Sequence, residues 1–263
     1  MKKYVYRFFA LVITASMLVN LPNIYALASD VTLPFTDVTT DDWFFEEVQY
    51  IYEQGIMSGT SNQTFSPNAN VTRAMAVQVI YNHAGRPSIL NLENNFSDVY
   101  PGSWYHDAVV WARFYGIVSG FSDDIFAPFE YITRAHLTIM LNNYANAFGI
   151  PLPSVRDSII FADNMDIHNY AREAIDRFFR AMIINGRSDG SFDPHGNATR
   201  AELATMLFGF VTFSENLDDF WDNGGYAVPD YGFFDDEPII QPEYGIYDDH
   251  VVPPYGLPPQ DSF

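Results

Sequence analysis

Apolar and polar positions along this chain follow one pattern written three times. After an aromatic residue (Trp43, Trp104 or Tyr170), apolar residues recur 5 and 8 positions on, as Val48 and Ile51, Val109 and Ala112, Ile175 and Phe178. The three-residue step between them marks one face of a helix. A polar loop follows in each copy, from Gly59 to Pro67, Gly120 to Pro128 and Gly186 to Pro194, each carrying a Phe-x-Pro end. Turn chemistry accounts for its Ser, Asn, Asp and Gly, and the Phe is expected to plug the loop into the core. A second helix then opens at Thr72, Thr133 or Thr199. Its apolar positions fall 3, 6 and 7 residues after the Arg that follows: Ala76, Val79 and Ile80; Leu137, Met140 and Leu141; Leu203, Met206 and Leu207. From the aromatic to Arg73, Arg134 or Arg200 the spacing is 30 residues in every copy. One such helix pair buries too little surface alone, so the three units are expected to pack on one another.

The helix ends carry their own signals. Asp42, Ser103 and Asn169 stand just before the three aromatics and read as N-caps of the first helices. Gly55 and Gly116 read as C-terminal stops, and Met182 in their place predicts a different ending in repeat 3. Thr72, Thr133 and Thr199 read as N-caps of the second helices. Only repeat 3 adds Glu202 three residues on, a capping box; repeats 1 and 2 have Met75 and His136 there.

If the threonines are caps, Arg73, Arg134 and Arg200 each sit at a first helical position, against the positive end of the helix dipole. That placement calls for an anion. Free amide groups and a planar guanidinium together make a carboxylate site. One candidate is internal, with Asp37, Asp98 or Asp163 of a neighbouring repeat forming a structural clamp. The other is a carboxylate on a ligand, and residue chemistry alone favours neither. Trp43, Trp104 and Tyr170 can stack on sugar rings, but their spacing ties them to the apolar face and favours a core role at the start of the first helix. Recurrence of Asp37, Asp98 and Asp163 at each repeat start fits capping or clamping better than paired catalytic carboxylates.

The order Phe-x-Asp-Val, Trp, Gly-Ile-x-x-Gly, Phe-x-Pro and Thr-Arg-Ala, written as Phe35-Thr-Asp-Val, Trp43, Gly55 to Gly59, Phe65 to Pro67 and Thr72-Arg73-Ala74, resembles the S-layer homology domain of bacterial surface proteins. It recurs from Phe96 and, with departures, from Phe161: Asn164 for Val, Tyr170 for Trp and Met182 for Gly. The resemblance covers Phe35 to Val211. It implies an all-α, pseudo-threefold bundle whose inter-repeat grooves bind a cell-wall glycan polymer, often one ending in a pyruvate ketal. It also implies glycan contact by Arg73, Arg134 and Arg200, with support from Trp43, Trp104 and Tyr170. The clamp or cap roles fall to Asp37, Asp98, Asp163, Thr72, Thr133, Thr199 and Glu202. The repeats divide as residues 33–85, 94–149 and 158–212.

The flanks change the picture in two ways. Residues 1–28 combine basic Lys2, Lys3 and Arg7, a short apolar run from Phe8 to Val19, and Ala26-Leu-Ala28, and read as a secretory signal peptide cut after Ala28. Residues 213–263 contain no Lys or Arg and repeat Asp, Glu, Pro, Tyr and Phe, as in Tyr231-Gly-Phe-Phe-Asp-Asp-Glu-Pro238. This acidic stretch is expected to be a disordered tail, a spacer or a docking strand for a cationic protein partner. Loss of Lys2, Lys3 and Arg7 leaves 10 of the 13 basic residues against 33 acidic ones, a net charge of −23. Such a field disfavours nucleic acid and anionic membrane. An anionic ligand would need a local basic site.

There is no cysteine and hence no disulfide framework or lipid-attachment thiol. The six histidines are scattered, and Asn185 to Gly190 fails the calcium-loop pattern because Arg187 stands at a ligand position. No metal or other cofactor is expected, and the repeats leave little chain for an enzyme. Two readings remain: a wall-binding module, or an envelope interaction protein whose repeats only anchor a recruiting tail.

Overall fold

The computed structural model describes residues 33–215. The expected signal peptide and acidic tail lie outside the described residues. Among those described there are six helices and no strand: α1 (Phe45–Glu53), α2 (Arg73–His83), α3 (His106–Phe114), α4 (Arg134–Phe148), α5 (Asn169–Arg180) and α6 (Arg200–Glu215). The all-α expectation holds.

Each second helix packs on the first helix of the next repeat, α2 on α3, α4 on α5 and α6 on α1, so the array closes on itself. At its centre three backbone hydrogen bonds form a ring. Val71 N–H donates to Ala198 O, Ala198 N–H to Ile132 O, and Ile132 N–H to Val71 O, each at 2.9 Å. All three residues are buried. The residues just before the Thr caps thus pair across repeats, and no terminal unit is left without a neighbour.

The helix faces follow the apolar spacing, with one shift. Val48, Ile51, Val109, Ala112, Ile175 and Phe178 are buried, but Trp43, Trp104 and Tyr170 are 64%, 55% and 54% exposed. The buried residue is the next one: Phe44, Tyr105 or Ala171. Counted from there, the apolar positions fall at 4 and 7, which is one helical stripe, whereas 5 and 8 is not. The core reading of the three aromatics is therefore corrected. So are the predicted N-caps: α1 and α3 begin two residues after Trp43 and Trp104, and α5 begins at Asn169, with no side-chain cap on any of the three. The Asp42 carboxylate instead accepts from Thr39 N–H (2.7 Å) and Oγ1 (3.0 Å).

All three first helices end alike. Gly55, Gly116 and Met182 each adopt a left-handed φ, +67°, +67° and +61°. The N–H one residue on reaches back to Ile51 O, Ala112 O or Phe178 O, closing the same C-terminal motif. Repeat 3 does not end differently; its Met takes the conformation a glycine would.

The Phe-x-Pro loops are held from inside their own repeat. Asp37 accepts from Phe65 N–H and Ser66 N–H at 2.8 Å each, and Asp98 and Asp163 do the same for Phe126 and Ala127, and for Phe192 and Asp193. Adjacent amides converging on one anion form a nest. It supports a left-handed residue at each loop, Ser66, Ala127 or Asp193, with φ near +60° (59°, 58° and 62°). Phe65, Phe126 and Phe192 are buried against Phe35, Phe96 and Phe161. The loop passes so close that a Cβ on Gly59 would lie 2.5 Å from the Phe35 ring.

Candidate functional site

Each helix-start Arg grips the loop of the next repeat. Arg73 Nε donates to Phe126 O (2.9 Å), Arg134 Nε to Phe192 O (2.9 Å) and Arg200 Nε to Phe65 O (2.7 Å). Nη2 of each takes a second carbonyl, that of Ser119 (3.0 Å), Asn185 (3.4 Å) or Ser58 (2.6 Å). Each guanidinium also lies over the ring of the same Phe, at 4.7, 5.0 and 4.6 Å from its centroid. Asp and Arg therefore meet the loop on its two sides, the Asp through its amides and the Arg through its carbonyls. No direct Arg–Asp pair forms among them in the described residues. Burial pulls the Arg73, Arg134 and Arg200 proton affinities down; Asp98 opposes this at Arg73, Glu202 at Arg134 and Asp37 at Arg200.

The amides at the helix starts are already taken. Arg73 N–H donates to Glu130 O and Ala74 N–H to Pro128 O; Arg134 and Ala135 use Gly196 and Pro194; Arg200 and Ala201 use Ala69 and Pro67. The next N–H goes to the cap hydroxyl, Met75 to Thr72 (3.3 Å), His136 to Thr133 (3.2 Å) and Glu202 to Thr199 (3.2 Å). The neighbour's loop thus crosses the helix mouth and occupies it. The expected free-amide anion site is not present.

The junctions differ at one position. Glu202 Oε2 accepts from Thr199 N–H (2.9 Å), while Oε1 takes Arg134 Nη1 at 2.9 Å and Arg187 Nη1 at 2.7 Å. Arg187 also reaches Asp193 at 3.0 Å. The corresponding neighbours of Arg73 and Arg200 are His136 and Met75, which offer no carboxylate.

Where α2 meets the start of α3, a groove of about 530 Å³ opens. Ser58, Gln78, Asn82 and Arg86 line one wall, and Ser103, Trp104 and Asp107 the other. Trp104 presents its ring edge-on to Tyr105 (centroids 5.2 Å apart, interplanar angle 87°) and remains half exposed. Arg86 follows the glycine that ends α2, at φ +53°, and its Nε donates to Asn82 Oδ1 (2.9 Å), leaving the outer nitrogens toward solvent. Sequence reasoning missed Arg86. Its signal was that it is the cation nearest the end of α2, beyond Gly85, where no repeat motif draws attention to it. Of the expected binding residues, Trp104 lies in this groove; Arg73, Arg134 and Arg200 are not among its lining residues.

The S-layer homology domain matches residues 34–76, 95–138 and 166–204. The chain carries three tandem S-layer homology domains. Similar proteins include an endoglucanase of Bacillus sp. (strain KSM-635), 30% identical over 178 residues. The Surface-layer 125 kDa protein of Lysinibacillus sphaericus is 29% identical over 184 residues, and an amylopullulanase of Thermoanaerobacterium thermosulfurigenes 29% over 189. The matches cover 66%, 66% and 70% of this chain but only 18%, 14% and 10% of those proteins. The shared part is thus a small share of each relative, whether its name is that of an enzyme or of a surface-layer protein. What is common to them is the anchoring module, and such domains attach proteins to the bacterial cell wall. Among the described residues no helix is long and apolar enough to cross a membrane, and no cluster of three or more His or carboxylate groups could hold a metal ion.

Proposed function

We propose that this is a secreted protein held non-covalently at the bacterial wall or surface layer by a secondary cell-wall glycan bound between its repeats. The observation that carries the reading is the groove between α2 and α3. An exposed Trp104, a ring of short polar side chains and a solvent-facing Arg86 combine there in a space of saccharide size. Trp104 stacks on a sugar ring, Asn82, Gln78 and Ser103 meet its hydroxyls, and Arg86 takes an acidic substituent such as a pyruvate ketal. Trp43 and Tyr170 hold the matching places at the other two junctions.

Among the helix-start arginines, ligand contact runs through Nη1. That nitrogen has no partner among the described residues in Arg73 and Arg200, whereas in Arg134 it is taken by Glu202. Three tandem domains and a strongly acidic chain fit a neutral or locally acidic polysaccharide read by a few placed cations, and the protein contributes no chemistry beyond binding. Co-sedimentation tests this directly. The protein is expected to pellet with walls that carry the polymer and to stay in solution with stripped peptidoglycan. Equal pelleting with both would refute the polymer as the ligand.

A further inference from the structure

We infer that the α2–α3 groove continues past Trp104 to Phe129, where it opens a second sugar-stacking subsite, so that the junction of repeats 1 and 2 grips a run of sugars in a polysaccharide rather than a single one. The inference rests on the wall-polymer reading and adds to it a residue, a length requirement and a preference among the three junctions.

Phe129 is carried by the segment that crosses the mouth of α2. Pro128 O accepts from Ala74 N–H (3.0 Å), Glu130 O accepts from Arg73 N–H (2.9 Å), and Tyr131 pairs with Thr72, so the backbone on both sides of Phe129 is tied to the start of α2. Its ring is nevertheless 68% exposed. That ring meets Tyr105 edge to face, with centroids 5.6 Å apart and planes at 88°. Trp104 meets the same Tyr105 at 5.2 Å and 87°. Tyr105 is itself only 3% exposed, so one core side chain holds both exposed rings in place.

A floor joins the two rings. Met75, Gln78 and Asn82 are spaced three and four residues apart and share one face of α2. Each is half-buried, while Ala76, Val77, Val79 and Ile80 are buried. Gln78 and Asn82 line the groove with Trp104, and Met75 prolongs their stripe by one turn toward the place where the Phe129 segment crosses. From Ala74 to Asn82 the helix rises about 12 Å, more than one pyranose ring can span. Aromatic faces at intervals, with amide side chains between them, match a saccharide chain, whose rings have apolar faces and polar edges.

The other junctions are built differently. Counting from each Phe-x-Pro, the place of Phe129 is held by Asn68 in repeat 1 and by His195 in repeat 3. Asn68 offers no ring, and His195 is turned against His168 (79°, 5.6 Å). The place of Met75 is held by His136 in α4 and by Glu202 in α6, the latter buried and bonded to Arg134 and Arg187. Among the described residues, the α2–α3 junction is the one that sets two carbocyclic or indole faces along a single helix.

Calorimetry tests the subsite. The secondary polymer of the producing bacterium is released from its walls, cut by partial acid hydrolysis and sorted into monosaccharides and longer oligosaccharides, and each fraction is titrated into the secreted chain. The wild type is expected to bind the long fraction about tenfold more tightly than the monosaccharides. Phe129→Asn, which copies Asn68, should remove that gain and leave monosaccharide affinity unchanged. Phe129→Leu keeps an apolar contact for Tyr105 without the flat face and should lose the gain as well, whereas Phe129→Tyr should keep it. Long fragments that bind both F129N and F129L as they bind the wild type would overturn the subsite. So would an equal loss for short and long fragments, because Phe129 would then act on Trp104 through Tyr105 and touch no sugar of its own. The two readings fail separately: affinity of the wild type that does not depend on fragment length sinks the subsite alone, and binding of no fragment at all sinks the wall-polymer reading with it.

Discussion

Arg134 and Arg73 occupy the same corner of the same fold and are placed in opposite electrostatic settings. Arg134 is 7% exposed and shares Glu202 with Arg187, so its charge is matched inside the protein. Arg73 makes the same two carbonyl bonds but faces His136, with one guanidinium nitrogen open. A repeated motif can therefore hold the architecture in every copy while leaving the third guanidinium nitrogen open in only some of them. The clamp is made by particular atoms of the side chain: Nε and Nη2 tie the loop, and Nη1 is bonded inside the protein or left open according to the residue three positions after the Thr cap of the next repeat.

The largest expected effect comes from breaking the matched corner. Arg134→Ala removes three bonds and leaves the buried Glu202 with Arg187 as its one cationic partner, and is expected to cost about 3–5 kcal/mol in urea unfolding. Arg73→Ala strips two charge-assisted bonds to carbonyls and leaves no buried carboxylate behind, which predicts about 1.5–3 kcal/mol. Equal losses would mean that Glu202 adds nothing to the clamp. Arg134 and Arg200 are themselves buried, so an Arg at this position bears on stability as well as on any binding.

Binding should separate from stability at Trp104. Its ring is half exposed beside the α2–α3 groove, so Trp104→Ala should change unfolding by no more than about 0.5 kcal/mol. As the aromatic anchor of a saccharide it should cost about 2 kcal/mol of wall affinity, roughly thirtyfold. A Trp104→Ala protein that pellets with walls as wild type does would remove the groove from the binding site.

Acid should sharpen the comparison further. The folded His136 pKa lies below its ordinary value, so the unfolded chain takes the proton more readily. Stability from this group is present above about pH 6.5 and is lost as the pH falls through the folded value. Thermal melts of His136→Gln should lack this part of the acid loss. A wild type and variant that lose stability in parallel between pH 7.5 and 5 would show that His136 is not the group responsible.

Much of this was legible along the chain. Three copies at constant spacing, the paired helices and the loop Phe plugs came from the repeated pattern, because a repeat that must bury its partner's face cannot vary there; the all-α bundle was what the family resemblance implied. The aromatic register was misread by one residue, although Phe44, Val48 and Ile51 display the true stripe at intervals of 4 and 7. The occupant of the helix mouths was not legible. Glu130, Pro128, Gly196, Pro194, Ala69 and Pro67 supply backbone carbonyls there, and a carbonyl leaves no mark in the residue type. Arg86 was hidden for the opposite reason: it belongs to one junction alone and has no counterpart to give it a pattern.

The smallest effect concerns the same contrast between copies, now in the backbone. Gly55 and Gly116 end α1 and α3 with φ at +67°, and Met182 ends α5 at +61° with its side chain exposed. An L-residue in that region costs about 1–2 kcal/mol, whereas glycine enters it freely but gives up about 0.5–1 kcal/mol of unfolded-state freedom. Met182→Gly is therefore expected to stabilise the protein by about 0.5–1 kcal/mol, raising the urea midpoint slightly. The reciprocal Gly55→Met should destabilise it by a similar amount, and through the backbone alone, because a Cβ at Gly55 meets nothing within 4 Å. If Met182→Gly instead lowers stability, the exposed methionine makes contacts that outweigh its strained φ, and repeat 3 would owe its ending to packing where repeats 1 and 2 owe theirs to glycine.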